Sequence, residues 1–124
     1  MELSVFFKSV MEQDSAPIVL CDIEDVVVYM NPEAKKRYHA DLTGQSIKAC
    51  HPPAANEKIA QVVAWFKEST EHNRVYTFRN HKENKDVYMV ALRDEAGELI
   101  GYYEKHLFRE VETEPLYAPF RGQK

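Results

Sequence analysis

At 124 residues the chain suits one domain, with room for a hydrophobic core and little left over for a second module. Its 44% hydrophobic and 29% charged residues are those of an ordinary globular protein, and no apolar run approaches the roughly 20 residues that span a bilayer. A formal net charge of −4 argues against a nucleic-acid surface, which needs clustered Lys and Arg; the nearest cluster, Lys35-Lys36-Arg37, reads as the solvated face of a short helix.

In chain order, Leu3, Phe6, Phe7, Val10 and Met11 recur at helical spacing, so residues 1–14 are expected to form an amphipathic N-terminal helix. Its apolar stripe has two possible covers: the chain's own sheet, or the same helix of a second subunit. Pro17 to Ile23 reads as a first strand, and the acidic pair Glu24-Asp25 as a hairpin turn lacking the more usual Asp-Gly. Val26 to Met30 is a β-branched and aromatic second strand. Asn31 then offers a helix cap and Pro32 the preset φ of a first helical position, so a short helix should run to about Tyr38.

Gly44 marks a turn, and Pro52-Pro53 forbids a continuous helix, so a new one should begin near Ala54. Within it Ile59, Val62, Val63 and Phe66 keep the i, i+3, i+4, i+7 pattern of a helix that covers a sheet. Arg74 to His81, Asp86 to Arg93 and Leu99 to Phe108 read as three strands. Lys82 to Lys85 forms a hairpin tip between the first two, and Asp94 to Gly97 a turn between the last two. The tail from Glu110 shows no periodicity, although Leu116, Tyr117 and Phe120 could tack it onto residues 15–109.

Two strands, four or so helical pieces and three strands, joined at Asn31, at Leu42-Thr43-Gly44 and at Arg93-Asp94-Glu95-Ala96-Gly97, together resemble a PAS sensory domain over roughly residues 15 to 108. The run Gly44 to Pro53, with its Cys-His-Pro-Pro element, is similar to a bacterial and archaeal subgroup, some of whose members are attached to hemerythrin-like domains. The resemblance implies an α+β fold: a five-stranded antiparallel sheet with short helices and one longer helix on one face, and a small-molecule cavity between the layers. It implies a sensory or signalling module, not an enzyme, that binds a small ligand or cofactor and acts through a separate signalling protein. The alternative is a ligand-free dimerisation module. Two family features are absent: the closing Asp-Ile-Thr element, replaced by Lys105-His106-Leu107, and the Asn-Cys-Arg-Phe-Leu run of flavin photoreceptors.

His51 is the sharpest candidate for chemistry, since imidazole is a haem or metal ligand and two prolines follow it. Haem-binding PAS domains place an axial histidine on or near the long helix, yet residues 54–68 contain none. The plainer reading is that His51 hydrogen-bonds its own loop. PAS topology and strand alternation suggest Tyr38, Ile47, His51, Val63, Phe66, Phe78, Tyr88 and Tyr102 as the cavity lining; an alternation off by one exchanges Tyr88 for Met89. His39, His72, His81 and His106 are read as ordinary surface or strand residues. There is no nucleophile elbow, phosphate-binding glycine loop or HExxH helix. Met1-Glu2-Leu3 lacks a basic leader, so a cytoplasmic location with Cys21 and Cys50 as free thiols is expected, and a homodimer through the N-terminal helix or the sheet.

Overall fold

The computed structural model describes residues 1–119. Helix α1 (Leu3–Glu12) leads into strands β1 (Val19–Asp22) and β2 (Val27–Met30), then helix α2 (Pro32–Tyr38), a 3₁₀ turn (Ile47–Cys50), helix α3 (Pro53–Glu68), and strands β3 (Arg74–Asn80), β4 (Lys85–Arg93) and β5 (Leu99–Phe108). The strands form one antiparallel sheet in the order β2-β1-β5-β4-β3, so the C-terminal strand lies at its centre between the N-terminal hairpin and the β3–β4 hairpin. Between β2 and β3 the four or so expected helical pieces resolve as two helices and the 3₁₀ turn.

Local chemistry accounts for the junctions. In the β1–β2 turn Asp25 takes φ 66°, a left-handed conformation that Asp tolerates, while the Asp22 side chain accepts from the amides of Glu24 and Val26. Asn31 is fully buried and uses its whole amide. Its Oδ1 accepts from Ala34 N at 3.0 Å, capping α2, and from Ile18 N at 2.9 Å, while Nδ2 donates to the carbonyls of Met11 and Ala16. One side chain thus joins α1, the segment that leads into β1, and α2. At Gly101 any Cβ would drive into the Cys21 carbonyl, so β1 and β5 can pair this closely only over a glycine.

The core lies between the sheet and the helices, with Phe66, Met30, Val27 and Met89 essentially inaccessible. Burying a Phe side chain stabilises by up to roughly 3 kcal/mol, so Phe66 anchors α3 to the sheet. The C-terminal end of α3 is held by Arg93, which donates to the carbonyls of Phe66, Ser69, His72 and Gly97 and to Asn73 Oδ1. Helix α1 does not fold back onto the sheet. None of its residues is buried, and Leu3, Phe6, Phe7 and Val10 are each more than half exposed. In the tail, Leu116 is 92% exposed and does not tack the segment down, and Phe120 lies outside the described residues.

Candidate functional site

Strand alternation decides what faces the helices. On β4, Lys85, Val87 and Met89 are buried against that side; on β5, Tyr102, Glu104 and His106 share the face, with Val87 opposite His106 and Met89 opposite Glu104. Between this face and the segment from α2 to α3 lies a cavity of about 560 Å³, within the size range of small-molecule sites. Its apolar part is made by Cys21, Ile47, Ile59, Val87, Met89 and Tyr102. Toward solvent it is edged by Arg37, Lys58 and Phe78, all exposed, with Lys58 donating to the Thr77 carbonyl at 3.0 Å and lying over the Phe78 ring.

Of the residues expected to line it, Tyr38, Ile47, His51, Phe78 and Tyr102 do so. Val63 and Phe66 belong to the solid core beside it. Tyr88 is a correction: it points to the opposite face of the sheet, its ring 5.2 Å from that of Tyr76, and Met89 takes the cavity position. The cause is parity, because β4 begins at Lys85 and its buried residues are Lys85, Val87 and Met89. A bulge between Tyr76 and Phe78 also shifts β3 by one, so that Tyr76 pairs with Tyr88 and Phe78 with the inward Val87.

Several cavity groups go beyond the sequence-based expectation. Arg37 reaches the rim instead of serving only as a solvated helix face, and forks onto Glu83, Nη1 to Oε1 at 2.7 Å and Nη2 to Oε2 at 2.5 Å. This pair holds the Glu83 carboxyl down at about 2. Lys85 belongs to a buried strand position, not to the hairpin tip, because Asn84 makes the turn at φ 50°. His106 is not an ordinary strand histidine: its Nδ1 is buried without a hydrogen-bond partner among the described residues, and burial, reinforced by Lys85 and Arg37, pushes its pKa down to about 4. Burial raises Glu104 above the usual carboxylate range, against the pull of His51, Lys85, Lys58 and Arg37. The available signal was the continuation of the Tyr102 face at i+2 and i+4.

His51 sits where the 3₁₀ turn ends. Its Nδ1 lies 3.0 Å from the Ile47 carbonyl, and since a carbonyl only accepts, Nδ1 carries the proton and Nε2 the lone pair. The loop hydrogen bond and the cavity position therefore coexist. Among the described residues no group of three or more His, Cys, Asp or Glu is arranged to hold a metal ion by itself. The Cys21 thiol is buried, pushed up to about 11, beside the Tyr102 hydroxyl, which donates to Asp25 Oδ1 at 2.6 Å. Cys50 is exposed, and both cysteines are free.

A sheet of this order, with helices enclosing a cavity on one face, defines an α+β domain of the PAS type. The family described as PAS domain matches residues 7–106, and the chain belongs to that family. Among solved structures, the C-terminal domain of a Streptococcus mutans protein is similar at 22% identity, with 81% of this chain and 80% of that one covered and a TM-score of 0.61. A PAS domain from Colwellia psychrerythraea shares 14% identity over 87% of this chain and 98% of that one, with a TM-score of 0.64. A sensory box sensor histidine kinase from Vibrio cholerae shares 13% over 86% and 93%, with a TM-score of 0.53. These identities establish a common fold. No curated protein matches the chain.

Proposed function

We propose that this PAS domain is a sensory module that binds a small ligand or cofactor in the cavity between sheet and helices and passes its state to a separate signalling protein. The cavity of about 560 Å³, open to solvent past Arg37, Lys58 and Phe78, carries the reading, because its volume and largely apolar lining match those of small-molecule sites. Family membership supports a sensory rather than catalytic role, and the similar Vibrio cholerae protein is described as a sensor histidine kinase. Two free thiols suit the reducing cytoplasm.

Haem is one candidate cofactor, with His51 as the residue that would hold its iron. The Ile47 carbonyl fixes the His51 ring so that Nε2 offers its lone pair, the arrangement in which a second hydrogen bond orients a ligating imidazole. When bound, a haem supplies redox or gas-ligand chemistry. A spectrum of freshly purified protein, paired with native mass spectrometry, tests the whole reading. A Soret band lost in His51→Ala identifies haem; extra mass without colour identifies another ligand. Protein that never carries or takes up a small molecule returns the cavity to a passive role and favours the ligand-free interaction module.

Helix α1 supports a second element of the reading, a homodimer. Its apolar residues Leu3, Phe6, Phe7 and Val10 lie open to solvent, and burying them against the same helix of a second copy removes that surface from water. Light scattering should give a dimer that Phe6→Glu dissociates; a dimer unchanged by the substitution excludes α1 as the interface.

A further inference from the structure

Resting on the ligand-binding reading above, the charge pattern narrows what the cavity takes. Lys85 is 1% exposed, yet among the described residues its ammonium has one oxygen partner, Glu83 Oε1, at 3.5 Å, the outer limit of a hydrogen bond. That carboxylate is already committed, with both oxygens engaged by Arg37 and Oε2 also by Asn80 Nδ2. The Phe108 ring 5.2 Å away gives Lys85 a weak further contact. An ammonium has three donors, and a buried cation left under-compensated is expensive, so this site is poorly satisfied as it stands.

Beside it stands a second unfilled group. His106 lies directly across from Val87, and therefore diagonal to Lys85 on the same face of the sheet, with its buried Nδ1 unpartnered. The cavity walls carry three cationic side chains, Arg37, Lys58 and Lys85, against the single carboxyl of Glu104. No hydrogen bond joins Glu104 to Lys85 among the described residues, and its burial favours the uncharged form, which can itself donate. Next to this polar end, Ile47, Ile59, Val87 and Met89 form an apolar wall.

We infer that the cavity binds a small organic carboxylate with an apolar body, its carboxylate received by the Lys85 ammonium and a His106 ring N–H, its body lying against Ile47, Ile59, Val87 and Met89. A carboxylate supplies the acceptors that both groups lack, and a charge-assisted hydrogen bond in a desolvated site is about twice as strong as a neutral one. A neutral ligand of the same shape leaves Lys85 as poorly paired as before.

The test uses the full chain and matched probes: octanoate and 3-phenylpropionate, each against its primary amide, titrated by calorimetry near neutral pH. The expected result is saturable binding of at least one acid, with its amide weaker by about tenfold or more, the loss expected for an unmade charged hydrogen bond. Lys85→Met, which removes a buried charge and should fold at least as stably, abolishes the acid's advantage and leaves the amide unaffected. His106→Phe provides a second variant and should weaken the acid in the same direction. Equal binding of acid and amide, or a preference that survives Lys85→Met in folded protein, overturns the carboxylate assignment while the cavity remains a ligand site. Failure of every acid to bind at millimolar concentration overturns it too. In that case native mass spectrometry of the purified protein decides separately whether the cavity holds any ligand.

Discussion

Arg37 at the end of α2 and Glu83 in the β3–β4 turn, 46 residues apart, meet in a two-pronged ion pair at the edge of the cavity. The contact ties the helical layer to the sheet hairpin and engages both oxygens of Glu83, whose Oε1 also lies 3.5 Å from the Lys85 ammonium. Both side chains are substantially exposed, at 43% and 32%, so solvent screening keeps the pair modest despite its geometry. Glu83→Gln should cost about 0.5–1 kcal/mol in urea denaturation at low salt, and less at high salt. The sign with pH follows from the depressed Glu83 carboxyl: its contribution is present above its ordinary value of 4.5 and is lost as pH falls toward about 2.

Asn31 carries a larger share. Asn31→Ala removes two acceptor bonds and two donor bonds in a fully buried place; it strands the amides of Ile18 and Ala34 and the carbonyl of Ala16, and leaves the Met11 carbonyl with only its 3.4 Å bond from Asp14 N. The expected loss is about 2–4 kcal/mol by chemical denaturation. Asn31→Asp keeps the cap but places a carboxylate oxygen against two carbonyls, so it should rescue little. A variant with wild-type stability refutes the joining role given to this side chain.

That role shows how far the sequence could be read. The Asn31-Pro32 pair announced the end of β2 and the start of α2 because capping is local chemistry, and the five strands followed from runs and turns. The α1 contact of the same side chain was not legible, since nothing local says where a carbonyl 20 residues away will lie. For the site, Tyr102 carried the signal for its whole face, and Glu104 and His106 follow it by alternation. Their polarity masks them, because polar residues are expected outside. Tyr88 failed for a different reason: the parity of β4 depends on where the turn ends, at Asn84, and on a bulge in β3, and neither has a sequence mark.

Arg93 provides a test of how α3 is finished. Its guanidinium reaches three carbonyls at or just beyond the C-terminal end of the helix, as well as Gly97 O and Asn73 Oδ1, a fan that a single ammonium cannot reproduce. Arg93→Ala should cost about 2–3 kcal/mol, and Arg93→Lys should recover less than half of it. Hydrogen exchange gives a sharper readout: amides of the last turn of α3 should lose protection in the variant before those of β4 and β5. Uniform loss across the domain would indicate that Arg93 supports the fold generally and not the end of α3.

The cavity's titrating groups act in opposite directions, which makes the pH dependence of stability diagnostic. His106 is depressed from 6.5 to about 4 by burial, so the unfolded chain binds more protons than the folded one between those values. Its contribution is complete above pH 6.5 and is lost as pH falls to about 4. A shift of this size, reduced for partial access to water, is on the order of 1–3 kcal/mol. Glu104 is raised by the same burial, so it favours the folded state below 4.5 and its contribution is lost as pH rises through its elevated value. His106→Phe should therefore flatten the fall in stability between pH 6.5 and 4, whereas Glu104→Gln should raise the melting temperature at pH 8 and lose that advantage in acid. Melting curves of the two variants from pH 4 to 8 check both signs. A Glu104→Gln advantage that persists in acid would show that the substitution acts through packing and not through a buried charge.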